Sequence, residues 1–210
     1  MLEIELKSED LKEYLYLELK KSRNSPLYDE ELNKVTELDL DRYDLIDEQT
    51  DITLEDLVFF NNLKKCYLGN FVLDDRNVKL LSTQSKLEFL QLNDCVFKNS
   101  ENLSLGVKHL VIVDSENFDI AKYNDLDKLE KLHIVNCVNT SINGISKFKN
   151  LSKVYLQNLN LDNINEMSEI EKLAYVNLNG STIKDSSFEN KNTEFIIEHE
   201  QINAIYDSEN

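Results

Sequence analysis

Apolar residues recur along this chain in a fixed order: an aliphatic, two free positions, a second aliphatic, one free position, a third, then a small or polar residue and another aliphatic. The clearest copy is Leu151, Val154, Leu156, Leu159 and Leu161, followed at three-residue steps by Ile164, Met167, Ile170 and Leu173, where the next copy begins. Copies start at Val35, Leu63, Leu87, Val107, Leu129, Leu151, Leu173 and, more degraded, Asn192, at spacings of 28, 24, 20, 22, 22, 22 and 19 residues. A unit of about twenty residues cannot bury its own apolar side, so such units stack on one another. The alternating stretch of each copy reads as a strand and the three-residue march after it as a short helical, 3-10 or extended segment. The pattern predicts an α/β solenoid with a curved parallel β-sheet on its concave face.

Other well-formed copies are Leu87, Leu90, Leu92, Cys95 and Phe97, and Leu129, Leu132, Ile134 and Cys137 with Ile142, Ile145 and Phe148. On these residues the sequence resembles the leucine-rich repeat proteins, and the march after each strand is similar to the 22-residue variety of the bacterial internalins and of a phosphatase regulator. The resemblance covers about residues 35 to 202. It implies the fold and leaves the function open, because such repeats serve many unrelated binding tasks.

Residues 1–34 are less regular and are expected to cap the open end of a solenoid of about eight rungs spanning 35–202, with 203–210 as a tail. Leu2, Ile4 and Leu6 alternate as one strand would, and Leu15, Leu17 and Leu19 as a second. The alternation favours this two-strand reading, although Leu11, Tyr14, Leu15 and Leu19 also fit one face of a helix beginning after Ser8. No Gly/Ser/Pro linker divides the chain, so one continuous solenoid is expected. Four glycines and a single proline argue against a Gly-rich phosphate cradle.

No stretch has the length and apolarity of a membrane span, and the start, Met1-Leu2-Glu3-Ile4-Glu5, lacks the basic and then apolar segments of a secretory signal. If Met1 is the native start, a cytoplasmic protein is expected. Cys66 falls on an inward strand position, and Cys95 and Cys137 fall on the turn step that leucine-rich repeats commonly fill with Asn or Cys. Two strand spacings, about 9 to 10 Å, separate Cys95 from Cys137, too far for a disulfide. All three read as buried, reduced thiols.

His109 and His133 lie on neighbouring rungs and point outward, but no third ligand converges on them, so no metal and no cofactor is expected. Alternation sends His133 outward while the ladder position sends Cys137 into the core, so the two form no nucleophile pair. Asp39, Asp41, Asp44 and Asp47 lack the glycine and distal glutamate of a calcium loop and read as a solvated acidic edge. The Asn-x-Ser/Thr sequons at Asn102, Asn139, Asn150 and Asn179 read as chance in an asparagine-rich chain.

The net charge of −17 excludes most binding to nucleic acid or anionic membrane. Alternation further predicts which residues line the concave face. For the six central copies these are Lys65, Tyr67 and Gly69; Phe89, Gln91 and Asn93; His109, Val111 and Val113; Lys131, His133 and Val135; Lys153, Tyr155 and Gln157; and Tyr175, Asn177 and Asn179. None is acidic, though 40 of 210 residues are Asp or Glu, so the acid must sit on loops, the convex side and the ends. Aromatic anchors with few carboxylates are the composition of a protein-binding surface. The candidate partner-binding residues are therefore Tyr67, Phe89, His109, Val111, Val113, Lys131, His133, Val135, Lys153, Tyr155 and Tyr175, of which Phe89, Val111, Val113, Val135, Tyr155 and Tyr175 read as a contiguous exposed patch. The two histidines would make it sensitive to pH near 6.5.

The sequence thus predicts a non-enzymatic module that binds another protein as an adaptor, regulatory subunit or inhibitor of the immunity type. Two alternatives stand beside it: an acidic mimic that blocks a nucleic-acid-binding protein, and an internalin-like adhesion module. No nucleophile, acid/base pair or cofactor loop converges, which argues against an enzyme.

Overall fold

The computed structural model describes residues 2–41, 52–98, 105–123, 126–185 and, for the backbone, 194–196. Asp44, Asp47, Asn102, Asn192, Glu198, His199 and the 203–210 tail lie outside the described residues. Eight strands form one parallel sheet in which each repeat neighbours the next: Glu37–Leu40, Lys65–Gly69, Phe89–Asn93, His109–Val113, Lys131–Val135, Lys153–Gln157, Tyr175–Asn177 and Glu194–Ile196. The register follows the repeat without slippage. Leu38, Cys66, Leu90, Leu110, Leu132, Val154 and Val176 form one cross-strand row, and Leu40, Leu68, Leu92, Ile112, Ile134 and Leu156 another. Every one of these side chains is buried. A one-residue slip would turn both rows to solvent, and that penalty fixes the pairing.

Each central strand ends in a left-handed residue. Asn70, Asp94, Asp114, Asn136 and Asn158 take φ values between 49° and 61°, and Asn and Asp tolerate this region because their short side chains bond locally. Gly180 does the same in the last described turn, at φ 71°, where a Cβ would lie 1.9 Å from the Asn158 Oδ1. One residue further on, the inward small side chains satisfy the turn. Cys95 Sγ donates to the Asn93 carbonyl at 3.3 Å and Cys137 Sγ to the Val135 carbonyl at 3.2 Å. Ser115 and Ser181 replace the thiols in their own rungs, each hydroxyl accepting a backbone N–H of the preceding rung at 3.0 Å. Burial pushes the thiols up, to about 12 for Cys66 and Cys95 and about 11 for Cys137.

The convex side is built as the three-residue march predicts. It carries 3-10 turns at Leu54–Phe59, Ile120–Lys122, Ile145–Lys147 and Asn165–Glu169, and one helix, Asp75–Ser82, whose N-cap Asp74 accepts from the Asn77 N–H at 2.8 Å. Between the two sides Phe97 meets Phe118 edge to face at 5.1 Å and Phe118 meets Tyr123 at a tilt at 5.5 Å, all three buried. None of the described helices is long and apolar enough to cross a membrane.

The N-terminal segment departs from the two-strand expectation. Only Glu3–Ile4 is a strand, paired antiparallel with Leu27–Tyr28, while Glu9–Glu18 is an α-helix. Leu11, Tyr14 and Leu15 are buried, whereas Leu17 is 76 % exposed, so the 3.6-residue period wins over the alternation of Leu15, Leu17 and Leu19. Two contacts decide it. Ser8 Oγ accepts the Leu11 N–H at 3.0 Å as N-cap, and the buried Asp56 carboxylate, from the first convex turn, accepts the Lys7 and Ser8 N–H groups at 2.9 Å. The helix is thereby set against the first strand, where the Tyr14 hydroxyl accepts the Asp39 N–H at 3.4 Å.

Candidate functional site

The outward positions of the strands bring the eleven candidate residues onto one face. Lys65, Phe89, His109, Lys131, Lys153 and Tyr175 stand in one cross-strand row, and Tyr67, Gln91, Val111, His133, Tyr155 and Asn177 in the next. Rows of this kind put directly opposed side chains about 5 Å apart and diagonal ones within reach of aromatic rings. The rings use both relations alternately.

Tyr67 meets Phe89 diagonally, with centroids 5.2 Å apart, and Phe89 meets His109 directly, edge to face at 5.0 Å. His109 then crosses diagonally to His133 at 4.9 Å, His133 stacks on Tyr155 at 4.0 Å, and Tyr155 crosses diagonally to Tyr175 at 5.0 Å. Six rings thus form an unbroken zigzag over six rungs. Each such contact contributes about 0.5 to 1.5 kcal/mol beyond its area, and the ladder holds its own members in place.

This packing corrects the expectation of an open apolar patch. All six rings, together with Val111, Val113 and Val135, are half-buried, because each covers part of the next. Among the described residues the exposed large apolar side chains are instead Leu2, Leu17, Val58, Val72 and Val138, none of them in a strand of the eight-stranded sheet. The expected pH response fails at His133 for the same reason. Burial first, then the neighbouring His109, Lys131 and Lys153, lower its pKa to about 3, so this ring is neutral throughout the physiological range.

The third outward row is closed rather than open. Asn93 and Gln157 are nearly buried, and Gly69 lies between Asp41 and Asn93 without a side chain. Across that gap the Asn93 amide donates to the Asp41 carboxylate two strands away. Burial raises the Asp41 carboxyl above its ordinary value. With Glu37 and Asp39, which stand in register with Lys65 and Tyr67, Asp41 puts acid at one end of the face, where the sequence places it.

Among the described residues, no group of three or more His, Cys, Asp and Glu side chains converges as a metal site. The face offers aromatic edges, aliphatic surface and the ammonium groups of Lys65, Lys131 and Lys153, which is material for binding.

No protein-family model and no curated protein matches the chain. Among solved structures it is similar to an internalin C2 from Listeria monocytogenes, at TM-score 0.58 and 18 % identity over 85 % of this chain and 76 % of that one. It is also similar to an internalin (inlF) from the same organism, at TM-score 0.52 and 15 % identity over 90 % of this chain. The chain spans 64 % of that second protein, less than two thirds of its length. The shared architecture is the leucine-rich repeat solenoid, of the short internalin-like type.

Proposed function

We propose that the chain is a non-enzymatic protein-binding module whose concave face takes another protein, as an adaptor, a regulatory subunit or an inhibitor of the immunity type. The observation that carries this reading is the six-ring ladder from Tyr67 to Tyr175. Aromatic residues dominate the energetics of protein interfaces. Rings already locked against their neighbours lose little rotamer freedom on docking, which favours affinity. The chemistry nearby supports binding over catalysis, because His133 is held neutral and the thiols are held protonated inside the core. Three free, buried cysteines fit a reducing compartment, and we assign the protein to the cytoplasm on that ground.

The test is capture from the native cytosol with the intact chain and with a Phe89→Ala/Tyr155→Ala/Tyr175→Ala chain, followed by calorimetric titration of whatever the first retains and the second loses. Each single truncation should weaken binding, at least one by about 2 kcal/mol or more. A partner that tolerates all three truncations but is lost on removing loop carboxylates would move the function to the acidic surface, as a mimic of nucleic acid.

A further inference from the structure

Charge is unequally divided between the two edges of the concave sheet. On the leading edge, where the chain runs into the strands, segments 61–65, 84–88, 105–109, 126–131, 148–153 and 170–175 hold nine lysines against four carboxylates. On the trailing edge, segments 69–75, 93–98, 113–119, 135–141, 157–163 and 179–184 hold two lysines against seven carboxylates. A basic edge therefore exists in a chain of net charge −17. Three of its lysines, Lys65, Lys131 and Lys153, stand on the concave face in the row of Phe89, His109 and Tyr175, with Lys131 directly beside Lys153.

The neighbouring titratable groups register this field. Lys131 and Lys153 both oppose protonation of His133. A hydrogen bond from Lys108, with the charges of Lys108, Lys64 and Lys128, holds Glu88 below the usual carboxylate range. On the trailing edge the sign reverses, and the charges of Asp39 and Asp94 add to the burial that raises Asp41. Of the four leading-edge carboxylates Glu88 is bonded to Lys108 at 3.0 Å, while Glu37, at the start of the first strand and outside these segments, is bonded to Lys65 at 3.4 Å. A five-residue strand, about 17 Å long, separates the edges, while the Debye length is about 8 Å at physiological ionic strength. The distant acid is thus largely screened from a group that docks beside Lys131 and Lys153.

We infer that the partner segment taken by the concave face is an acidic peptide, laid along the ring ladder with its carboxylates turned to Lys131 and Lys153. This rests on the concave-face reading above. Aromatic rings present the positive rim of their quadrupole at the edge, so the ladder itself suits carboxylate oxygens. Single-stranded nucleic acid has the same sign of charge but binds by stacking bases on open ring faces. Here His133 and Tyr155 already stack on one another at 4.0 Å and Phe89 meets His109 edge to face at 5.0 Å, so the centre of the ladder leaves less ring face for a base to stack on.

The test is selection from a random peptide library, with the native chain as bait and the Phe89→Ala/Tyr155→Ala chain as counter-bait. Peptides that need the rings should be rich in Asp and Glu, and they should lose about tenfold or more in affinity for a Lys131→Glu/Lys153→Glu chain. Their binding should also weaken with added salt. If charge reversal unfolds the chain, Lys131→Gln/Lys153→Gln makes the same comparison with a smaller change. Ring-dependent peptides that are basic, or that ignore the charge reversal, overturn the acidic-partner inference and leave the concave-face reading standing. A pool indifferent to the ring truncations refutes both. An unenriched pool overturns the inference alone, since the concave-face reading is tested separately by the cytosolic capture, and displacement of selected peptides by an equal concentration of single-stranded oligonucleotide assigns the face to nucleic acid instead.

Discussion

Lowering the pH should cost this fold stability through His133 specifically. Its imidazole has a pKa of about 3 in the folded chain against an ordinary value of 6.5, with burial as the main cause and the charges of His109, Lys131 and Lys153 behind it. Between those two values the unfolded chain binds the proton and the folded chain does not, so stability rises with pH in that window. The contribution is fully present above about pH 6.5 and is lost progressively as pH falls toward 3. One proton gives a slope of about 1.4 kcal/mol per pH unit, so the loss by pH 5 is at most about 2 kcal/mol. Residual solvent contact of the half-buried ring reduces this to about 1 kcal/mol. Carboxylates titrate in the same range, and the informative quantity is therefore the difference between the native chain and His133→Phe, which keeps the stack on Tyr155 and removes the titration. Urea denaturation of both at pH 7.5, 6 and 5 should show the native chain losing about 1 kcal/mol more than the variant, while the His133 ring protons in an NMR titration stay unshifted down to pH 5. Parallel stability curves, together with a His133 midpoint near 6.5, would refute the argument and restore a pH-responsive face.

Truncation of the inward rows, Leu132→Ala or Leu156→Ala, should destabilise the fold by about 2 to 5 kcal/mol; an unchanged denaturation midpoint would show that the register is wrong. Asp56→Ala leaves the Lys7 and Ser8 N–H groups without their carboxylate acceptor and should cost about 3 kcal/mol, with faster hydrogen exchange over Glu9–Glu18 as the local readout. Cys95 and Cys137 should resist a thiol reagent until denaturant is added, because burial holds both thiols protonated; rapid labelling of the native chain would contradict their inward placement.

The repeat is legible in the sequence because burial enforces it at every copy. The inward rows and the strand starts two residues after Leu63, Leu87, Val107, Leu129, Leu151 and Leu173 follow from one alternation rule applied to each copy, and the inward placing of Cys95 and Cys137 follows from the turn step that the resemblance implies. Residues 1–34 stand outside the repeat, and there two periods compete over the same leucines. Ser8 as N-cap hints at the helix, but the deciding carboxylate, Asp56, comes from 48 residues along the chain. No local pattern announces so distant a partner.

The same boundary divides the candidate surface. The sequence by itself determined which residues face outward, because strand side chains alternate whatever lies beside them. It did not determine what those residues do to one another. Whether six rings lie open or lock into a ladder depends on cross-strand registers and rotamers, and only the stacked rungs set these. The stack brings His109, Lys131 and Lys153 together around a half-buried His133 and moves its protonation out of the physiological range. It also lets Asp41 reach Asn93 across Gly69, and it gathers lysines scattered at intervals of about twenty residues into one basic edge. Periodicity is a property of single positions, whereas contact and field are properties of pairs, and the pairs exist only once the solenoid has closed rung upon rung.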